Sequence, residues 1–123
     1  MTLIDTSVWI DHLRAPNEIL SALIERRQVL THPFVIGEIA LGTIRSRAAV
    51  LAALDELPSA PVARDADVLY LIERHQLFGR GVGYVDAHLI AATRLRPGTR
   101  LWTRDRRLLA VADQFALAAH FTH

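Results

Sequence analysis

The amino-acid sequence predicts an α/β fold, a parallel sheet with helices packed on both faces. Two observations carry the prediction. Short apolar runs alternate along the chain with longer segments of helical spacing, the order that joins parallel strands through crossover helices. Breakers separate the segments, namely "LPSAP" (57–61), "GRGVG" (79–83) and "RPG" (96–98). At 123 residues the chain suffices for one core and one domain, 1–123, with no linker or internal repeat.

"TLI" (2–4) is a strand ending at Asp5, and "TSVWIDHLR" from Thr6 takes helical spacing, with Val8, Trp9 and His12 on neighbouring turns. A second helix fits 17–27, opened by Asn17 after Pro16, and "VLTH" (29–32) follows as a short strand. Pro33 suits the first turn of the next helix, where its missing N–H is not needed. That helix is expected to reach about Arg45, and another to cover 47–56. "VA" (62–63) is expected as a brief strand, and Asp65 as the N-cap of a helix to about 77. After "GRGVG" comes a helix from Tyr84 to Leu95. "TRLWT" (99–103) then reads as a strand, Asp105 starts a helix to about 113, and "FALAA" (115–119) is expected as a last strand.

Composition narrows the function classes. About half the residues (51%) are hydrophobic and 22% charged, which suits a packed domain rather than a disordered one. No apolar run approaches the roughly 20 residues of a membrane span, and Asp5 and Asp11 interrupt the only stretch resembling a leader. Without cysteine there is neither a disulfide frame nor a thiolate zinc site, and a cytoplasmic location is expected. The net charge is +1, yet all fourteen basic residues are arginine, and six of them crowd the stretch from Arg94 to Arg107. Guanidinium forks suit phosphate oxygens, so a polyanion is one candidate partner; a solvated arginine-rich surface is the other reading.

The candidate chemistry lies in acids. Ligands of open α/β sheets gather beyond the carboxyl ends of the strands, where Asp5 falls after the first strand and Asp105 after "LWT". Glu38 has Phe34, Val35, Leu41 and Gly42 as its helical neighbours, and Asp86 has Val82, Gly83, Leu89 and Ile90, so both are expected on faces a helix normally buries. Glu73 passes the same filter only in part and reads as an edge residue reaching water. Singly, each acid has an ordinary explanation: N-caps at Asp5 and Asp105, a first-turn residue at Asp86, an arginine partner at Glu38. Together they form a set with no lysine to neutralise it. Two like charges about 4 Å apart repel by roughly 4 kcal/mol at an effective dielectric near 20, so such a cluster calls for a cation. Oxygen donors alone point to Mg²⁺, with Mn²⁺ as substitute, rather than zinc.

Four motifs in this order, "IDTSVWID", "GEIALG", "YVDAHLIAAT" and "LWTRD", resemble the PIN-domain ribonucleases, most closely the VapC-type toxins of bacterial toxin–antitoxin pairs. The resemblance covers the whole chain and implies a three-layer α/β/α PIN-like domain with a short, mostly parallel central sheet. It places Asp5, Glu38, Asp86 and Asp105 at the family's four acidic positions, and Thr6, Ser7 and Thr103 at hydroxyl positions that orient those acids. It implies Mg²⁺-dependent endonucleolytic cleavage of RNA, a cognate antitoxin and a homodimer. Some members carry a further acid just after the fourth, where this chain has Arg106 and Arg107. With Arg104, these arginines would neutralise RNA phosphates.

Other chemistries fit less well. The histidines (His12, His32, His75, His88, His120, His123) form no HExxH motif. His88 is expected as a packed or solvent-edge residue rather than a general base, and Trp9 and Trp102 as core rather than base-stacking residues. Ser7 lacks the nucleophile elbow of a serine hydrolase, and "GRGVG" lacks the G-x-x-x-x-G-K-S/T spacing of a phosphate loop. A phosphoryl transferase with an Asp5 nucleophile would need a second acid at Ser7 and a later lysine. The non-enzymatic alternative is a silent PIN-fold module that binds RNA or a protein.

Overall fold

The computed structural model describes residues 1–121. A three-stranded parallel sheet lies at its centre, in the order β2-β1-β3. Strand β1 (Thr2–Ile4) pairs Leu3 with Leu30 of β2 (Val29–Leu30) and with Leu101 of β3 (Arg100–Trp102). Successive strand residues point to opposite faces, and all of Thr2, Leu3 and Ile4 are buried, so both faces of the sheet are covered. This is the α/β architecture that the alternation of apolar runs predicts.

Seven helices follow the chain among the described residues: α1 (Thr6–Arg14), α2 (Glu18–Glu25), α3 (Pro33–Leu41), α4 (Arg47–Glu56), α5 (Asp65–Arg74), α6 (Tyr84–Leu95) and α7 (Arg106–Gln114). Local chemistry fixes most of their starts. Asp5, Asn17 and Asp105 cap α1, α2 and α7 through their side-chain oxygens. His32 caps α3, with Pro33 in its first turn. Leu20, Ile39, Leu89, Ile90 and Leu108 join Leu3, Ile4, Leu30 and Leu101 in one hydrophobic core. Trp9 and Trp102 belong to that core, as expected from their apolar runs. No helix among the described residues is long and apolar enough to cross a membrane.

Several expected boundaries move. "VA" (62–63) forms no strand; the bridge beside β2 is instead Thr31 with Ser59, where Pro58 offers its carbonyl to Thr31 and Ala60 N–H returns to the Thr31 carbonyl. "FALAA" reduces to a single bridge, Leu101 with Ala118. Residue Ala116 just before it takes a left-handed φ of 56°, which breaks the extended run. Helices α2 and α5 stop at Glu25 and Arg74, short of 27 and 77, because Arg27 and Gln76 adopt left-handed backbone. Helix α3 ends at Leu41, since Gly42 turns extended. Asp65 is the first residue of α5 and Arg64 its N-cap, which frees the Asp65 carboxylate for other partners.

Candidate active site

Asp5 answers to two demands at once. It leaves β1 with its N–H donating to the Trp102 carbonyl of β3, 2.9 Å away, which continues the sheet by one residue. Its Oδ1 accepts the Thr6 N–H at 2.8 Å and so caps α1, while Oδ2 accepts the hydroxyls of Ser7 (2.8 Å) and Thr103 (2.7 Å). The side chain is buried, and three donors compensate the charge it carries there.

Those hydroxyls pass the order outward. Thr103 Oγ1 accepts the Asp105 N–H (3.0 Å) and Ser7 Oγ accepts the Arg104 N–H (3.1 Å), which ties the end of β3 to the start of α1. Asp105 Oδ1 takes the N–H groups of Arg107 and Leu108 at the start of α7. The Thr6 hydroxyl donates to Glu38 Oε1 at 2.7 Å, reaching from α1 to α3. Asp86, in the first turn of α6, accepts the Gly83 N–H on Oδ2 at 3.0 Å. Glu38, Asp86 and Asp105 thus each have one oxygen fixed by the protein and a second with no protein donor among the described residues.

The four acids share one electrostatic environment. Burial raises the Asp86 carboxyl above its ordinary pKa, the Gly83 N–H pulls it back in part, and the charges of Asp5, Asp105 and Glu38 add to the rise. Among the described residues, however, no three His, Asp or Glu side chains stand in closed coordinating geometry. The acids feel one another's charge without forming a finished cage. The expectation that Glu38 lies on a buried helix face is corrected: Glu38 is exposed, and so are Leu41 and Gly42, because α3 ends at Leu41 and no further turn covers that side of Glu38. Glu73 is exposed, away from the strand ends, as its partial pattern implied.

The arginines beside the acids are placed unequally. Arg104 makes an ion pair with Asp11 of α1 (Nε to Oδ2, 2.9 Å), both side chains half-exposed. Arg107 lies against the "GRGVG" loop, where a Cβ on Gly81 would come within 2.6 Å of its Cδ. Arg106 is exposed at the start of α7. A cavity of about 720 Å³ is lined by Ile10, Leu13, Ile44 and Val50 and by none of the four acids.

The histidine expectations resolve in part. His88 is packed, not solvent-edge: it is buried, with Nε2 3.0 Å from Asp65 Oδ1. His120 pairs with Asp113 at 2.7 Å, and His123 lies outside the described residues. The caps made by His32 and the loop contact of Arg107 were missed in sequence. A histidine directly before a proline at a helix start was a readable sign of the first, since its ring nitrogen can replace a carboxylate as cap. The second depends on tertiary contact alone.

Comparison with known proteins fits this arrangement. The family model for the PIN domain matches residues 2–114. Two curated proteins named Ribonuclease VapC32, from two strains of Mycobacterium tuberculosis, are each 47% identical to the chain over 118 residues, covering 96% of this chain and 95% of theirs. A model match over nearly the whole length and identity at this level leave one assignment: the chain belongs to the PIN-domain family and is of the VapC type.

Proposed function

We propose that the protein is a Mg²⁺-dependent endoribonuclease, the toxin of a toxin–antitoxin pair, acting on RNA in the cytoplasm. The observation that carries this reading is the convergence of Asp5, Glu38, Asp86 and Asp105 on one sheet edge, registered by the raised Asp86 carboxyl. The names of the VapC32 relatives support the substrate class.

The residues fit a hard divalent cation. All donors are carboxylate oxygens, those without a protein donor belong to Glu38, Asp86 and Asp105, and no lysine stands by to neutralise them. Asp5, Asp86 and Glu38 would hold Mg²⁺ or Mn²⁺, with Asp105 as a fourth, outer ligand. Such an ion supplies Lewis acidity, lowers the pKa of water and steadies charge on the departing oxygen. The protein supplies the rest. Thr6, Ser7 and Thr103 hold the carboxylates in fixed orientations, and Oε2 of Glu38 and Oδ1 of Asp86 are free to accept the proton of an attacking water. Arg106, Arg107 and the outer face of Arg104 neutralise the RNA phosphates on either side of the cut.

The reading includes a cognate antitoxin and a homodimer. Large apolar side chains on the surface, Leu41 at 90% exposed with Tyr70 and Phe78, support protein partners.

Incubating purified protein with total RNA, in Mg²⁺ or Mn²⁺, with chelator, and as Asp5→Asn, tests the reading. Discrete fragments that vanish with chelator and in the variant are the expected result. Cutting that survives both would sink the four-carboxylate mechanism, and no cutting by folded, metal-loaded protein would favour a silent binding module.

A further inference from the structure

Of the six arginines from Arg94 to Arg107, the proposed chemistry uses Arg104, Arg106 and Arg107. Arg100 is occupied too, donating to the Ala116 carbonyl at 3.0 Å. Arg94, in the last turn of α6, is placed differently. Its guanidinium carbon lies over the Phe115 ring, 4.8 Å from the centre, and His75 meets the same ring edge-on at 4.7 Å. Stacking engages the flat face of the guanidinium and leaves the N–H groups at its edge available. No carboxylate pairs with Arg94 among the described residues.

Beside this fork a cleft of about 330 Å³ opens between α5 and α6. Leu71, Ala91 and Leu95 give it apolar walls, and Tyr70 stands at its rim, 67% exposed. Asp67, the one carboxylate lining it among the described residues, is taken up by two Arg64 nitrogens at 3.2 and 3.4 Å. The acid at the cleft is thus answered and the guanidinium is not. The volume falls at the small end of ligand sites, which run from roughly 300 to 1,000 Å³. An open aromatic ring, apolar walls and a planar donor fork match one base with its phosphate: the ring stacks on the base, and the fork takes two phosphate oxygens. The acidic edge is elsewhere, since Arg94 follows Asp86 on α6 by about 12 Å of helix at 1.5 Å per residue.

We propose that the cleft between α5 and α6 is a separate nucleotide-binding site, which holds one base against Tyr70 and its phosphate on Arg94. The same chemistry arrives from two sources, a residue of the RNA away from the cut or a free nucleotide. The first source rests on the nuclease reading. The cleft itself does not.

The probe is adenosine 5′-monophosphate, titrated with chelator into the whole protein and followed by ¹H–¹⁵N correlation of backbone amides and arginine Nε–H groups. Saturable shifts at Tyr70, Ala91 and Arg94 are expected, with adenosine alone and inorganic phosphate alone each weaker by about tenfold or more. No shift at Arg94, or shifts confined to the acidic edge, would overturn the site. Arg94 shifts that follow protein rather than nucleotide concentration would give the cleft to a second copy of the chain and overturn it equally. Tyr70 and Arg94 are exposed, so replacing them leaves the core intact. Tyr70→Ala and Arg94→Gln are each expected to weaken the nucleotide about tenfold, and Tyr70→Phe, which keeps the ring, by about twofold at most. Undiminished affinity in Tyr70→Ala or in Arg94→Gln would overturn the proposal. Competition then assigns the source on the cleavage-deficient Asp5→Asn protein. Displacement of a labelled long RNA by the monophosphate, lost when Arg94→Gln is added, supports the site and assigns it to RNA; a monophosphate that binds at Arg94 beside undisturbed RNA supports it and assigns it to free nucleotide. Protein that binds the monophosphate at Arg94 but never cuts RNA would defeat the nuclease reading and leave the cleft, and protein that cuts RNA with no shift at Arg94 would do the reverse.

Discussion

Asp86 shows what burying one carboxylate costs in stability. Its folded pKa lies above the ordinary carboxylate value of 3.8, chiefly through burial. The unfolded state therefore releases this proton at lower pH than the folded state does, and the group lowers stability progressively as pH rises from about 3.8 through the folded pKa. Asp86→Asn keeps an oxygen for the Gly83 N–H while removing the charge. The variant is expected to unfold at a higher temperature than wild type at pH 7, with the gain shrinking toward pH 3, where both states of wild type are protonated. Its cation binding and RNA cleavage should be lost. Thermal melts across pH check this, and an Asp86→Asn protein that is less stable at pH 7 would mean that the dipole and capping contributions of the charge outweigh its burial. Asp5 is a different case: the same acid type, more deeply buried, is surrounded by three donors, so both its capping and its proposed metal-holding role were readable from one position after a strand.

Among the elements, the strands and most helix starts were legible because their causes are local. Asp5, Asn17 and Asp105 precede helical spacing, and Pro33 marks a first turn. Helix ends were not, since they rest on left-handed residues such as Arg27 and Gln76 that carry no glycine signature. The "GRGVG" loop was legible as a breaker between helices but not as a packing surface. Gly79 and Gly81 both have positive φ, 71° and 78°, yet a Cβ at Gly79 meets nothing within 4 Å, whereas one at Gly81 meets the Arg107 side chain at 2.6 Å. Gly79→Ala therefore measures the backbone strain alone, about 1–2 kcal/mol. Gly81→Ala should cost more, displace Arg107 and weaken RNA binding, and adding Arg107→Ala should abolish the stability difference between the two glycine variants. Equal melting temperatures for Gly79→Ala and Gly81→Ala would show that Arg107 moves aside freely.

At the scale of the whole molecule, Asp5 and Asp105 could be proposed from sequence because topology gathers strand ends on one edge, whereas Glu38 and Asp86 came from the pattern of their helices. What surrounds them was not legible: the Arg104–Asp11 pair, the exposure of Glu38 and the Arg94–Phe115 stack all depend on which helices become neighbours. The same distinction bears on how a chain of net charge +1 would hold the proposed RNA. Global attraction is negligible at that charge and is screened beyond about 8 Å at physiological salt, so binding must come from a local patch beside the acids. Each phosphate neutralised on single-stranded RNA contributes about −0.7 to the slope of log affinity against log salt. If Arg104, Arg106 and Arg107 each engage one phosphate, the slope for the cleavage-deficient Asp5→Asn protein at fixed Mg²⁺ should be near −2. Because Arg104 is shared with Asp11, Arg106→Ala should flatten the slope by about 0.7, and Arg104→Ala by less. Asp11→Ala, which releases Arg104, should steepen it. Fluorescence anisotropy with a labelled RNA over a salt series reads all four proteins, and a slope unmoved by any of these changes would place the RNA on another face of the molecule.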